Sequence, residues 1–206
     1  MLIPQDNLII ETTNSRVVYE EGFLERDQTK ALFAYLLGLE WQHDTATIYG
    51  KKIITKRQIV WMAETGLDYN YSGNNRVASG VWDPQVLELK EKLETHLGCQ
   101  FNSCLLNRYP TGGEGMAFHS DDQNHLEPNS AVAIISLGCD RFLKFRPNPK
   151  LEDWENLKPS KVLLEQGSLI TMSGQTQKYW QHEIPKMAGV KTTRISLTFR
   201  QMLKKF

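Results

Sequence analysis

The stretch AFHSDDQNH, residues 117–125, sets two histidines, two aspartates and a glutamine within nine positions. Its composition suits a polar turn, because Ser, Asp and Asn are common loop residues. A second chemistry is open to it. Side chains of an extended segment alternate between faces, so His119 and Asp121 point the same way, one an imidazole and the other a carboxylate. Sixty residues lie between Asp121 and His182, which sits in KYWQHEI with Trp180 and Ile184 on its own face. Two histidines and one carboxylate form the facial set that holds non-haem Fe(II) and leaves coordination positions open. Alone this pattern is weak, since five histidines among 206 residues make such matches common.

TRISLTFRQML adds two cations. Arg194, Ser196, Thr198 and Arg200 alternate with Ile195, Leu197 and Phe199, so both guanidinium groups lie opposite the apolar stripe. One reading leaves those charges in water. The other aims them at a dicarboxylate, whose carboxylate an arginine fork meets bidentately as lysine cannot. Six residues of strand separate the two arginines by roughly 20 Å. A five-carbon diacid is far shorter, so both could serve it only by leaning inward. LLNRYP offers Asn107 and Tyr109 on one strand face, an amide and a phenol able to reach the same ligand. A polar strand end before the PTGGEG turn is the plainer alternative.

The elements that would carry these residues fall into two parts. ERDQTKALFAYLLGLEW has Ala31, Leu32, Tyr35 and Leu36 at helical spacing, with Gly38 near its end. WDPQVLELKEKLETHLG predicts a helix with Asp83 as N-cap, Pro84 first, Val86, Leu89, Leu93 and Leu97 on one stripe, and Gly98 as C-cap. His96, near its end, is expected to be structural or solvated. After residue 100 come short strand-like runs: FNSCLLNRY, AVAIISL, RFLKFRP, KVLLEQ, SLITMSG, KYWQHEI and TRISLTFRQML. Such spacing suggests a sandwich or barrel, with residues 147–161 as an irregular surface insertion.

Composition excludes some classes. Lys+Arg and Asp+Glu both count 24, so bulk charge neither requires nucleic acid nor forbids it. Three cysteines without a CxxC pair disfavour a disulfide framework or a cysteine zinc site, and favour a reducing compartment. The opening MLIPQDNLII does not read as a signal peptide, and no window approaches the roughly 18 apolar residues of a membrane span. We therefore expect an intracellular protein, in cytoplasm or nucleus, that uses no membrane and works as a monomer.

Taken together, NRY at 107–109, HSD at 119–121, QHEI around His182 and RISLTFR at 194–200 resemble the AlkB family of Fe(II) and 2-oxoglutarate-dependent dioxygenases, in order and spacing. The likeness covers roughly residues 45–202. It implies an α+β, mainly β fold: a double-stranded β-helix, or jelly roll, with flanking N-terminal helices and a nucleotide-recognition lid. Residues 1–206 would form a single domain, with helices and lid over about 1–100 and the catalytic core over about 101–206. The resemblance implies Fe(2+) held by His119, Asp121 and His182. Asn107, Tyr109, Arg194, Ser196 and Arg200 would surround 2-oxoglutarate, with O2 as the second cosubstrate and Arg194 on the distal carboxylate. The implied activity is oxidative demethylation of N-alkylated bases such as 1-methyladenine and 3-methylcytosine, in DNA and also RNA.

Two further stretches resemble the family's recognition segment. IYGKKIITKRQ, residues 48–58, looks like its glycine-centred hairpin and gathers Lys51, Lys52, Lys56 and Arg57, which could pair with phosphates. A solvated charged face is the ordinary alternative. LDYNYSG, residues 67–73, places Tyr69 and Tyr71 on one face, suited to stacking a flipped base or to filling a core. Ile48 and Tyr49 would act as a wedge. Beyond Asp121 the chain has Asp122 and then Gln123, where the family often has an acid, so both are candidate base contacts and base preference stays open. His125 is expected to be a bystander. Two other readings remain: an oxygenase of a protein side chain or small metabolite, separated by the segment 48–73, and a metal-free jelly-roll binding module, which would consume no 2-oxoglutarate.

Overall fold

In the computed structural model, which describes residues 7–48, 51–71, 74–151 and 157–204, Asp83 turns an extended segment into the helix the sequence predicts. Its carboxylate accepts from the Gln85 and Val86 amides at 3.0 and 3.2 Å. Pro84 opens helix α2 (Pro84–Leu97), Gly98 closes it at φ 65°, and Val86, Leu89 and Leu93 are buried. Helix α1 (Arg26–Leu37) ends before Gly38 as expected, but its buried stripe is Thr29, Leu32 and Leu36. Ala31 and Tyr35 point outward instead. The reason is local: the Tyr35 hydroxyl donates to Asp83 Oδ2 at 2.8 Å, which draws the ring along the surface toward the start of α2.

Two antiparallel sheets stack as a jelly roll. The larger has eight strands in the order β1 (Leu8–Glu11), β2 (Ser15–Glu20), β12 (Leu169–Gly174), β9 (Val132–Gly138), β14 (Arg194–Arg200), β7 (Ser103–Tyr109), β4 (Lys51–Ala63) and β3 (Gln42–Ile48). The smaller runs β11 (Ser160–Leu164), β10 (Arg141–Pro147), β13 (Trp180–Ile184) and β8 (Met116–His119). A separate hairpin pairs β5 (Asp68–Tyr71) with β6 (Asn74–Val77). Every strand expected after residue 100 is present. Lys178 and Tyr179 of KYWQHEI fall instead in a short helix, α3 (Thr176–Tyr179). The N-terminal hundred residues also supply four strands of the larger sheet, among them β1 and β2, whose short runs declare no period.

The core has two layers. Ala133, Ile135 and Leu137 of β9, Cys104 and Leu106 of β7, and Ile195, Leu197 and Phe199 of β14 pack with Leu32 and Leu36 of α1 and Val86, Leu89 and Leu93 of α2. Between the sheets, Tyr109, Ile134 and Met172 meet Leu143, Phe145, Trp180 and Ile184. Each buried Leu, Ile, Val, Met or Phe side chain among them contributes about 1.5–3 kcal/mol. The helices thus claim one face of β14. By alternation its polar residues face the smaller sheet, which is how Arg194, Ser196 and Arg200 come to the interior.

Gly138 ends β9 opposite Arg194 at φ 86°. A Cβ there would meet the Thr193 carbonyl oxygen and the Phe33 ring. Gly138→Ala is expected to cost about 1–3 kcal/mol in stability, read as a lowered urea midpoint; an unchanged midpoint would refute the strain.

Candidate metal centre and cosubstrate pocket

Register brings the two histidines together. β13 pairs with β8 so that His182 lies directly opposite His119, with ring centroids 4.3 Å apart. Asp121 follows on the loop leaving β8, and one donor atom from each of the three residues lies within 4.8 Å of the others. The His119 Nδ1 is 2.9 Å from the Ala117 carbonyl, which can only accept, so Nδ1 carries the proton and Nε2 offers its lone pair. The donor set, its spacing and its fixed tautomer all fit a divalent transition metal.

Arg200 approaches the same carboxylate: its Nε donates to Asp121 Oδ2 and its Nη2 to Oδ1, each at 2.9 Å. This resolves the distance problem posed by two arginines far apart on one strand. Arg200 grips the candidate metal ligand, and Arg194 works at the other end. Both carboxylate oxygens retain lone pairs for a metal while accepting from the fork.

Arg194 is 1% exposed and donates from Nε to Ser136 Oγ at 2.9 Å. Its Nη1 and the Asn107 Oδ1 are buried without a hydrogen-bond partner among the described residues. Tyr109 pairs across strands with Arg194, and Ser196 with both Asn107 and Ser136. The Tyr109 ring lies between two guanidinium groups, 5.4 Å from that of Arg194 and 5.7 Å from that of Arg141. Arg141, fully buried, donates to the carbonyls of Thr111, Glu114 and Pro185 and so fastens the PTGGEG turn beside Tyr109. A buried, incompletely bonded guanidinium beside an amide and a phenol is a chemical match for a carboxylate ligand.

Burial lowers the pKa of His182 to about 3, with the His119 imidazole the next cause, and burial lowers that of His119 as well. Burial would raise Asp121, but Arg200 and the two imidazoles hold its carboxyl well below the usual range. All three are therefore in the metal-binding protonation state at neutral pH. Between the ordinary histidine value of 6.5 and about 3, the unfolded chain binds a proton that folded His182 refuses. Stability of the metal-free protein should then fall as pH drops through that window. Chelator-treated His182→Phe should show a flatter decline between pH 7 and 5 in thermal melts; equal declines would contradict the shift.

The candidate substrate residues divide. Tyr49, and the side chains of Ile48, Lys51, Lys52, Tyr69 and Tyr71, lie outside the described residues. Arg57 does not lie on the solvated charged face that is the ordinary alternative to phosphate pairing: it is 9% exposed, donates to the Met116 sulfur and faces His119 electrostatically. Lys56 beside it is exposed. Asp122 caps a 3-10 turn, Gln123–His125, accepting from the Asn124 amide and bonding His125 Nδ1 at 2.9 Å. His125 therefore supports the turn, and His96 pairs with Glu20 at 3.0 Å. Gln123 is exposed, with its amide on the Gln177 carbonyl. Sequence reasoning missed Ser136, Arg141 and Gln177.

Comparison with known proteins adds independent findings. The family described as the 2OG-Fe(II) oxygenase superfamily matches residues 16–200. A protein named DNA oxidative demethylase ALKBH2 from Arabidopsis thaliana is 31% identical over 210 residues, covering 92% of this chain and 67% of its own length. The human alpha-ketoglutarate-dependent dioxygenase alkB homolog 3 is 30% identical over 190 residues, covering 90% and 66%. The chain thus spans about two thirds of these relatives. Among solved structures, OsALKBH1 superposes with a TM-score of 0.63 at 18% identity, over 94% of this chain and 99% of that one, and bears on the fold alone.

Proposed function

The chain belongs to the 2OG-Fe(II) oxygenase superfamily, and within it to the AlkB family, and from that membership we propose that it is an Fe(II)/2-oxoglutarate-dependent dioxygenase that demethylates N-alkylated bases in DNA, with RNA as a second substrate. The observation that carries the reading is the pairing of two features in one interior: three donor atoms within 4.8 Å, and on the facing sheet a buried arginine whose Nη1 has no partner among the described residues. His119, Asp121 and His182 would hold the metal on one side and leave the other open. Bound iron would supply the O2 activation that couples decarboxylation of 2-oxoglutarate to succinate with hydroxylation of an N-methyl carbon, which then leaves as formaldehyde.

The protein's own part is positioning. Arg194 takes the distal carboxylate; Tyr109, Asn107 and Ser196 shape its pocket; Arg200 sets the angle of Asp121. The burial of His182, Asn107, Tyr109 and Arg194 keeps water from the reacting atoms. The names of the relatives support a nucleic-acid substrate. Ile48, Tyr49, Lys51, Lys52, Arg57, Tyr69, Tyr71, Asp122 and Gln123 are the residues we assign to its recognition. A monomer in a reducing, intracellular compartment suits the free thiols of Cys99, Cys104 and Cys139, and no helix among the described residues is long and apolar enough to cross a membrane.

Mass spectrometry of alkylated DNA and RNA oligonucleotides, incubated with iron, ascorbate and 2-oxoglutarate, tests the reading directly. Loss of methyl groups matched by succinate supports it. Succinate formation with every oligonucleotide unchanged would leave the oxygenase and remove the nucleic-acid substrate. Replacing Lys51 and Lys52 should also weaken single-strand binding and flatten its salt dependence.

A further inference from the structure

Asp121 is held from two sides. Its carboxylate lies in the Arg200 fork, while its backbone amide donates to the side-chain Oε1 of Gln177 at 2.9 Å. Gln177 is 7% exposed and belongs to α3, five residues before His182. A backbone amide only donates, so the carboxamide orientation is fixed, and Nε2 is turned toward the Met172 sulfur at 3.5 Å. In return the Gln123 side chain donates to the Gln177 backbone carbonyl at 3.2 Å. Each glutamine therefore bonds the segment that carries the other. Between them, Ser120 Oγ donates to the Trp180 carbonyl at 2.8 Å.

Resting on the metal-centre reading, we propose that Gln177 and Gln123 form a reciprocal clasp that positions Asp121 for the metal. The clasp joins the loop that leaves β8 after His119 and bears Asp121 to the helix that leads into His182. Without it, Asp121 rides on the loop leaving β8, held beside the paired His119 and His182 by the Arg200 fork and the Ser120 bond to Trp180. With it, the backbone of Asp121 cannot drift while its carboxylate stays forked. The chemistry needs an amide at 123: a carboxylate there could not donate to a carbonyl, and would oppose it. Gln177 must supply an acceptor at Asp121, and a side chain long enough to reach it.

Metal binding alone tests this. Chelator-treated protein is titrated with Mn(II), and free Mn(II) is read by electron paramagnetic resonance, without turnover. Gln177→Met keeps length but removes the acceptor, and is expected to weaken Mn(II) binding about 10-fold or more. Gln177→Glu keeps an oxygen at that place and should restore binding to within about threefold of the parent, and Gln123→Glu should weaken it by less than Gln177→Met. Thermal melts of the metal-free variants check that each is folded; Gln123→Glu, at an exposed position, serves should Gln177→Met fail to fold. Parent-like binding by Gln177→Met, or by Gln123→Glu in its place, overturns the clasp and leaves the metal centre. No Mn(II) binding by the parent overturns both.

Discussion

Asp121→Ala is expected to lose Fe(II) binding and 2-oxoglutarate turnover by well over about 100-fold, the upper range for losing a mere outer partner of a metal ligand, and to lose stability as well. The two losses have different causes. Binding suffers because one of three donors is gone. Stability suffers because Arg200, its side chain only 14% exposed, keeps a charge that the 8% exposed Asp121 carboxylate had matched. Breaking a buried pair from one side costs about 3–5 kcal/mol, and the partial exposure of Arg200 places this case toward the lower figure. Asp121→Asn keeps one oxygen that accepts from the fork while the second acceptor and the charge are lost, so it is expected to recover only part of the stability. Metal titration calorimetry and urea unfolding read the two quantities independently. Full metal affinity in Asp121→Ala, with the stability loss intact, would make the residue only a structural partner of Arg200.

What the sequence could disclose followed from the range of each signal. Capping is local, so Asp83, Pro84 and Gly98 announced α2 with its limits. Alternation is also local, and it correctly put Arg194 and Arg200 on one face of β14. It could not say that α1 and α2 cover the other face, which is what turns the arginines inward. Arg141 left a legible trace, because RFLKFRP places it on the same face as Leu143 and Phe145, an inward position for a cation. Arg57 left a similar one by alternating with Ile59, but the neighbouring lysines made it read as part of a charged cluster. Gln177 left none: the helix that aims it at Asp121 is four residues long, and its partner lies 56 positions away.

Arg194→Met is expected to do two opposite things: remove 2-oxoglutarate binding and stabilise the metal-free protein. Arg194 is buried, and its Nη1 lacks a partner among the described residues. Burial presses its pKa down, and the nearby Arg141 charge acts in the same direction. Such a cation costs desolvation that Ser136 and the Tyr109 ring offset only in part, so an unbranched apolar side chain in its place should raise stability by about 1–4 kcal/mol. A dicarboxylate would supply the missing bonds, and truncating a buried charge partner costs about 2–5 kcal/mol of binding. That corresponds to roughly 30-fold or more in affinity for 2-oxoglutarate. Arg194→Lys should regain little, because one ammonium cannot reproduce the fork and the buried charge remains. Calorimetric melting of the metal-free protein and the 2-oxoglutarate KM of the loaded enzyme give the two readouts. An arginine kept for architecture would lower the melting temperature on removal. A higher melting temperature together with a higher KM would mark Arg194 as a residue whose cost to the fold is retained for the ligand it binds.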